Sequence, residues 1–320
     1  GIQISVHADG CYSLNVHGAP WLVSAGTELR LDGSWLTSED ESLTIESSSS
    51  SHGTDAVGTY TAFSLRWSAA RWSTLNFTTT FALYDGTLSQ PHQMITFTQD
   101  IGAGTPLTGI GIPNATSWGT PASGFPTFDS TGRAKLGGAS GLGYVSYGEI
   151  GMPRVGRFPT GYKSGAIEYD GVPLMLLDEA STTAAILAPT TGFYDNVYAH
   201  VGTGYLRCGA AGTWSAPLAE GISLQTALFV SGRAHGATPA WLGFGEALRR
   251  RYAKPHPPPT ASKQIERLGY STVGHYFYGR ARGRTMAQTL SQVKSAAEGG
   301  KLPPFGYYLI DSFWYAESFL

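Results

Sequence analysis

The sequence predicts a mainly β chain: a large antiparallel two-sheet β-sandwich followed by a single βαβ unit. Three observations predict it. Apolar and polar residues alternate in steps of two from Gly1 to about Val230, with almost no helical periodicity. Asp-Gly pairs punctuate those runs and supply the positive-φ residues that tight hairpins need. Beyond a proline cluster near residue 257 the period turns helical, then gives way to a short apolar run.

Taken in order, Tyr12, Leu14 and Val16 alternate with Ser13, Asn15 and His17, and Phe63, Leu65 and Trp67 with Ser64 and Arg66. From Leu75 to Tyr84, one face collects Leu75, Phe77, Phe81 and Leu83, and the other Asn76, Thr78 and Thr80. Ile222, Leu224, Leu228 and Val230 repeat the scheme. Turns are expected at Asp9-Gly10, Asp32-Gly33, Asp85-Gly86 and Asp170-Gly171. The serine run Ser47 to Ser51 reads as a loop tip, and Gly102 to Gly143 as a long loop. Asp178-Glu179 and Glu39-Asp40-Glu41 read as solvated turns, because adjacent strand carboxylates point to opposite faces and cannot flank one bond. Trp118, Trp35 and Trp214 would stack on sugar rings if exposed. We favour core or loop packing for them, since Trp is commonly well buried.

The pattern changes at Trp241. Trp241, Leu242, Phe244, Leu248 and Tyr252 follow helical spacing, and Arg249 to Arg251 suit the negative end of the helix dipole. Pro255 and Pro257 to Pro259 stop that helix. Residues 1–240 are therefore assigned to the sandwich, 241–265 to a helix and proline-rich linker, and 266–320 to the βαβ unit. Leu268 to Tyr278 is its first strand. Thr285 with Gln288 forms a capping box, and Met286, Leu290, Val293 and Ala297 make one apolar stripe. Gly299-Gly300 closes the helix, and Phe305 to Ile310 reads as a parallel strand covered on both faces. That strand runs into Asp311-Ser312-Phe313-Trp314, an acid beside an aromatic at a strand end. The carboxylate suits sugar hydroxyls and the ring suits a sugar CH face. From spacing alone, a helix-capping Asp311 or a pairing with Arg280, Arg282 or Arg284 is an equal alternative.

Composition narrows the function classes. Hydrophobic residues are 42% of the chain and charged residues only 14%, so a sizeable core forms and polar uncharged residues carry solubility. A net charge of -2 gives no electrostatic case for nucleic acid. No apolar stretch approaches the ~20 residues of a membrane span. No metal-ligand cluster, phosphate loop or dinucleotide fingerprint occurs, so no cofactor is expected. Asn76 and Asn114 head Asn-x-Thr triplets, candidate glycosylation sites on a secreted or extracellular protein; a cytosolic or plastid location is the alternative. Cys11 and Cys208 read as two separate buried thiols, with one long-range disulfide as the alternative. The sequence opens on Gly1, which fits a removed leader or a piece of something longer.

GYSTVGHYFY, a helix and then PPFGYYLIDSFWY resemble the opening of the barrel in raffinose-synthase and alkaline α-galactosidase type glycoside hydrolases. The similarity spans about residues 268 to 316. Upstream it rests on loose pieces such as DGCYSLNVHG and on the order of domains, a large β-sandwich before the barrel. The resemblance implies an incomplete (β/α) barrel in residues 266–320, represented by its first βαβ unit. It implies that Asp311 and Trp314 match sugar-subsite residues, with Ser312 standing where the family has a second Asp. Gly269 and Thr272 match the family's first strand, whereas Val273 and Gly274 replace its Trp and Asp. The implied chemistry is retaining, α-galactosidase-like hydrolysis or transfer by two carboxylates. Those belong to the fourth and sixth barrel strands, which this sequence does not reach, so no catalytic residue is assigned. The implied partner is carbohydrate, within a possible larger assembly. A non-catalytic carbohydrate-binding or structural extracellular glycoprotein is the competing expectation.

Overall fold

A computed structural model describes residues 1–85, 93–107, 121–129, 142–146, 154–157, 173–201, 205–212, 218–256, 258, 263–272 and 285–310. The chain forms two compact units, Gly1–Lys254 and Pro255–Leu320.

The first unit is antiparallel throughout its described residues. β1 (Ile2–Val6), β2 (Tyr12–Val16) and β3 (Ala19–Val23) form one small sheet. β4 (Glu28–Leu31) and β5 (Ser34–Thr37) form a hairpin. The long strands β6 (Thr44–Thr54), β7 (Thr59–Ala69), β8 (Trp72–Tyr84) and β9 (Gln93–Ile101) follow. Next come β10 (Ser123–Gly124), β11 (Thr127–Asp129), β12 (Gly143–Ser146), β13 (Arg154–Arg157), β14 (Leu174–Asp178) and β15 (Thr183–Pro189). β16 (Asn196–Val201), β17 (Tyr205–Ala210) and β18 (Ile222–Val230) complete the strands of this unit. One layer is a nine-stranded sheet in the order β13-β12-β14-β15-β18-β9-β8-β7-β6. The facing layer is assembled from three three-stranded pieces, β1-β2-β3, β10-β4-β5 and β11-β17-β16. The last two are stitched together by Ala122 N–H to Ala210 O at 2.7 Å and Phe125 N–H to Cys208 O at 2.8 Å.

Alternation explains the layers. Leu65, Trp67, Phe77, Phe81, Phe97, Leu187 and Leu228 of the large sheet bury against Tyr12, Leu14, Leu29, Leu31, Leu206 and Cys208 of the small ones. Tyr12 is the pivot. Its hydroxyl donates to Thr127 O at 3.0 Å, and its ring meets Phe81 edge-on at 5.0 Å. Trp67 is buried too, and its indole donates to the buried Thr79 hydroxyl at 2.8 Å. The hairpin at Asp32-Gly33 has φ of 44° and 80°, the two left-handed residues that the Asp-Gly pair predicts. His17-Gly18 turns β2 into β3 in the same way, with φ of 52° and 82°.

Three expectations need correction. The serine run is no loop tip: Ser47 to Ser51 lie inside β6 and pair with Arg66 to Ala62 of β7. β6 is an edge strand exposed on both faces, so its backbone takes the ladder while its hydroxyls stay solvated. The helix placed in the linker, α1 (Ala237–Arg251), packs on β15 and β18 within the first unit. Ala240, Phe244 and Ala247 bury against Ala184, Ile186, Ala188, Ala227 and Phe229, and the three strand alanines let the helix approach. Asp178 is buried rather than solvated, and it accepts from the Ser181 hydroxyl at 2.6 Å. Cys11 and Cys208 are separate free thiols, as the leading reading has it, although Cys11 is only half-buried; the disulfide alternative is not formed.

The second unit contains α2 (Lys263–Glu266), β19 (Gly269–Ser271), α3 (Met286–Glu298) and β20 (Tyr307–Leu309) among its described residues. β19 and β20 pair in parallel, Gly269 with Tyr307 and Ser271 with Leu309, so α3 lies on the crossover of a βαβ unit. Both halves of the capping box form: Gln288 N–H donates to Thr285 Oγ1 at 3.2 Å, and Thr285 N–H to Gln288 Oε1 at 2.9 Å. Gly300, at φ 69°, ends α3.

Candidate functional site

Parallel pairing puts the C-terminal ends of β19 and β20 side by side. Thr272 N–H donates to Leu309 O at 3.1 Å, and Thr272 is buried. The described C-terminal ends of the two strands therefore lie at one edge of the sheet. Asp311, Ser312 and Trp314 themselves lie outside the described residues, as do Asn114, Trp118 and Trp214. On one face of the two strands, Tyr270 and Tyr308 contact each other and Phe305, with ring centroids 5.8 to 6.1 Å apart. Leu309 is 49% exposed and Ile310 41%, so much of the apolar strand surface predicted to be covered on both faces is open. Asn76 is exposed at the start of the buried run of β8, where its side chain is available for modification.

A second constellation, which the sequence did not disclose, lies in the first unit. Leu29 and Leu31 of β4 and Leu206 and Cys208 of β17 face the core, so Glu28, Tyr205 and Arg207 project from the outer side of that layer. Arg207 Nε donates to Glu28 Oε2 at 2.6 Å, and Arg207 Nη2 donates to the Tyr205 hydroxyl at 2.7 Å. Tyr205 in turn donates to Glu28 Oε1. The guanidinium lies 3.9 Å from the centroid of the Trp35 ring, within cation–π range. Although these residues are on the outer side, Arg207 is only 5% exposed and Glu28 8%. Burial pushes the Tyr205 hydroxyl well above its ordinary pKa, and its hydrogen bond to Glu28 adds to this against the lowering pull of Arg207. The pattern was visible as alternation in Glu28-Leu29-Arg30-Leu31 and Tyr205-Leu206-Arg207-Cys208. Nothing local, however, pairs residues about 180 positions apart. Trp35, expected in core or loop packing, is half-buried and stacked on a cation.

No group of three or more His, Cys, Asp or Glu among the described residues is arranged to hold a metal ion. No helix among them is long and apolar enough to cross a membrane.

No family model matches the chain. No curated protein matches it either. Among solved structures it is similar to an α-N-acetylgalactosaminidase from Bifidobacterium bifidum, with 10% identity and a TM-score of 0.45. That alignment covers 97% of this chain and 50% of the other, so the chain spans about half the length of that protein. A protein described as a kojibiose phosphorylase from the human microbiome aligns at 8% identity and a TM-score of 0.28, over 79% of this chain and 29% of its own.

Proposed function

We propose that the chain is the front part of a glycoside hydrolase-like protein acting on α-linked, galacto-type sugars. In this reading Asp311 and Trp314, with Ser312 beside them, hold a sugar at the C-terminal end of β20. The observation that carries the reading is the order of parts: an antiparallel β-sandwich unit, then a parallel βαβ unit whose second strand stops two residues before Asp311. Ligands of barrels and parallel sheets sit beyond the carboxyl ends of the strands, where a carboxylate and an aromatic plane suit a sugar's hydroxyls and CH face. The exposed apolar surface at Leu309 and Ile310 supports a parent protein in which further strands of a (β/α)8 barrel cover this unit. In that parent, two carboxylates ~5 Å apart would carry out retaining hydrolysis. The resemblance matches neither of them to a residue of this chain.

A non-catalytic carbohydrate-binding or structural extracellular glycoprotein is the second reading. Ser312 in place of the family's second Asp, and Val273-Gly274 in place of its Trp-Asp, favour it. Turnover of an aryl α-galactoside by the intact natural protein separates the two, since only the hydrolase reading expects it. Site placement is tested by Asp311→Asn in that protein. The expected result is a loss of sugar affinity of about tenfold or more, as for a site built around a hydroxyl partner. Unchanged affinity by calorimetry would remove Asp311 from the site.

A further inference from the structure

We infer that the first unit carries its own sugar subsite on the outer face of its small-sheet layer, built on Arg207, Trp35 and Tyr205. It lies wholly within Gly1–Lys254 and uses neither Asp311 nor Trp314. Only the choice of a sugar as ligand rests on the reading proposed above.

The argument begins with unused donors. A guanidinium presents five N–H groups in a fixed fork. Arg207 uses one on Glu28 and one on Tyr205, and the others meet no acceptor among the described residues. Although Arg207 is nineteen-twentieths buried, none of its nitrogens is among the buried atoms left without a partner, so the remaining edge of the fork reaches solvent. Here the fork is locked in place with its far edge open to solvent. Glu28 and Tyr205 hold one side, and the Trp35 ring lies against the guanidinium plane.

The neighbouring backbone preserves that arrangement. A Cβ added at Gly124 would come within 2.7 Å of Glu28 Oε2 and 3.0 Å of the Thr127 methyl. Glycine at 124 thus leaves the carboxylate room to lie across the sheet and meet Arg207. Charge then selects the ligand class. Glu28 neutralises Arg207, so the remaining donors suit neutral oxygen acceptors better than a second carboxylate. Trp35 and Tyr205, both half-buried, provide the aromatic surface that the CH side of a pyranose packs on. Donors at one edge beside aromatic rings fit a neutral sugar. Arg30 stands opposite Trp35 across the β4–β5 hairpin, which makes an acidic sugar the competitor to test.

The test is an NMR titration of the whole chain with galactose, N-acetylgalactosamine and glucuronate. It follows the Arg207 Nε–H and Trp35 indole N–H signals, assigned with Arg207→Lys and Trp35→Phe. The expected result is a saturable shift of both signals with a neutral sugar. Tyr205→Phe should weaken binding about tenfold by loosening the Arg207 fork that its hydroxyl holds, whereas Asp311→Asn should leave it unchanged. Unmoved signals with both neutral sugars would overturn the subsite, as would shifts with glucuronate alone or shifts that Asp311→Asn abolishes. Because the wild-type shifts are read directly, the test survives a variant that fails to fold. Failure of the Asp311 site is seen separately, as a calorimetric sugar affinity that Asp311→Asn leaves unchanged while the Arg207 and Trp35 shifts persist.

Discussion

Single residues of the first unit carry the sharpest chemistry. Burial raises the pKa of Tyr12, Tyr84 and Tyr205, aided at Tyr84 by its hydrogen bond to Asp55 and at Tyr205 by its bond to Glu28. These hydroxyls stay protonated in the folded chain while unfolded tyrosines ionise near pH 10. The stability they contribute is therefore complete below pH 10 and is lost as pH rises above it. Absorbance titration should show a class of tyrosines that ionises only with unfolding, and stability should fall steeply above pH 10. A single class titrating near 10 would contradict this. Cys208, buried and pushed upward by desolvation, should be inert to thiol reagents until the chain unfolds. Cys11, half-buried and raised by burial and then by Asp9, should react slowly. The Glu28–Arg207 pair makes a different prediction. Glu28→Gln leaves a buried guanidinium without its counter-charge and should cost about 3–5 kcal/mol in urea denaturation. Replacing both partners with apolar residues should cost less than the two single losses together.

At the scale of elements, α1 tests how a helix is held to a sheet. Its sequence pattern nominates Trp241, Leu242, Phe244, Leu248 and Tyr252 as one face, yet Leu242 is 70% exposed and the buried set is Ala240, Phe244 and Ala247. Two alanines in the seam were invisible to a search for large apolar residues, because their role is to let the helix approach Ala184, Ala188 and Ala227. Phe244→Ala should therefore destabilise the first unit by about 3–5 kcal/mol. Leu242→Ala should stay within about 0.5 kcal/mol of the parent. Equal losses would mean that the helix sits in another rotation. The three arginines, read as a dipole feature, also act individually. Arg249 and Arg250 bond Glu246, while Arg251 donates to Gln225 Oε1 at 2.6 Å and ties the helix end to β18.

At the scale of the whole molecule, the division at Lys254 sets what can be expected of each part. The first unit has two buried clusters, one between the sheet layers and one beneath α1, and it should survive limited proteolysis as a folded piece ending near Lys254. The second unit buries few of its described side chains, and Leu268, Tyr308, Leu309 and Ile310 remain well exposed. It should be degraded first, and mass spectrometry of the resistant fragment checks this. A resistant fragment that keeps residues 263–310 would refute the ranking.

The sequence by itself determined the β class of the first unit, the hairpin at Asp32-Gly33, the capping box of α3 and the parallel strand before Asp311. These are local: a two-residue alternation, a left-handed φ or a cap three residues away is written within a few positions. Tertiary structure alone decided that Ser47 to Ser51 form a strand, because a solvated serine run becomes one only when β7 supplies its ladder. It also decided that α1 belongs to the sandwich unit. The constellation of Glu28, Trp35, Tyr205 and Arg207 is the plainest case. Its partners are brought together by β10 lying between β4 and β17, a long-range pairing that no short stretch of residues encodes.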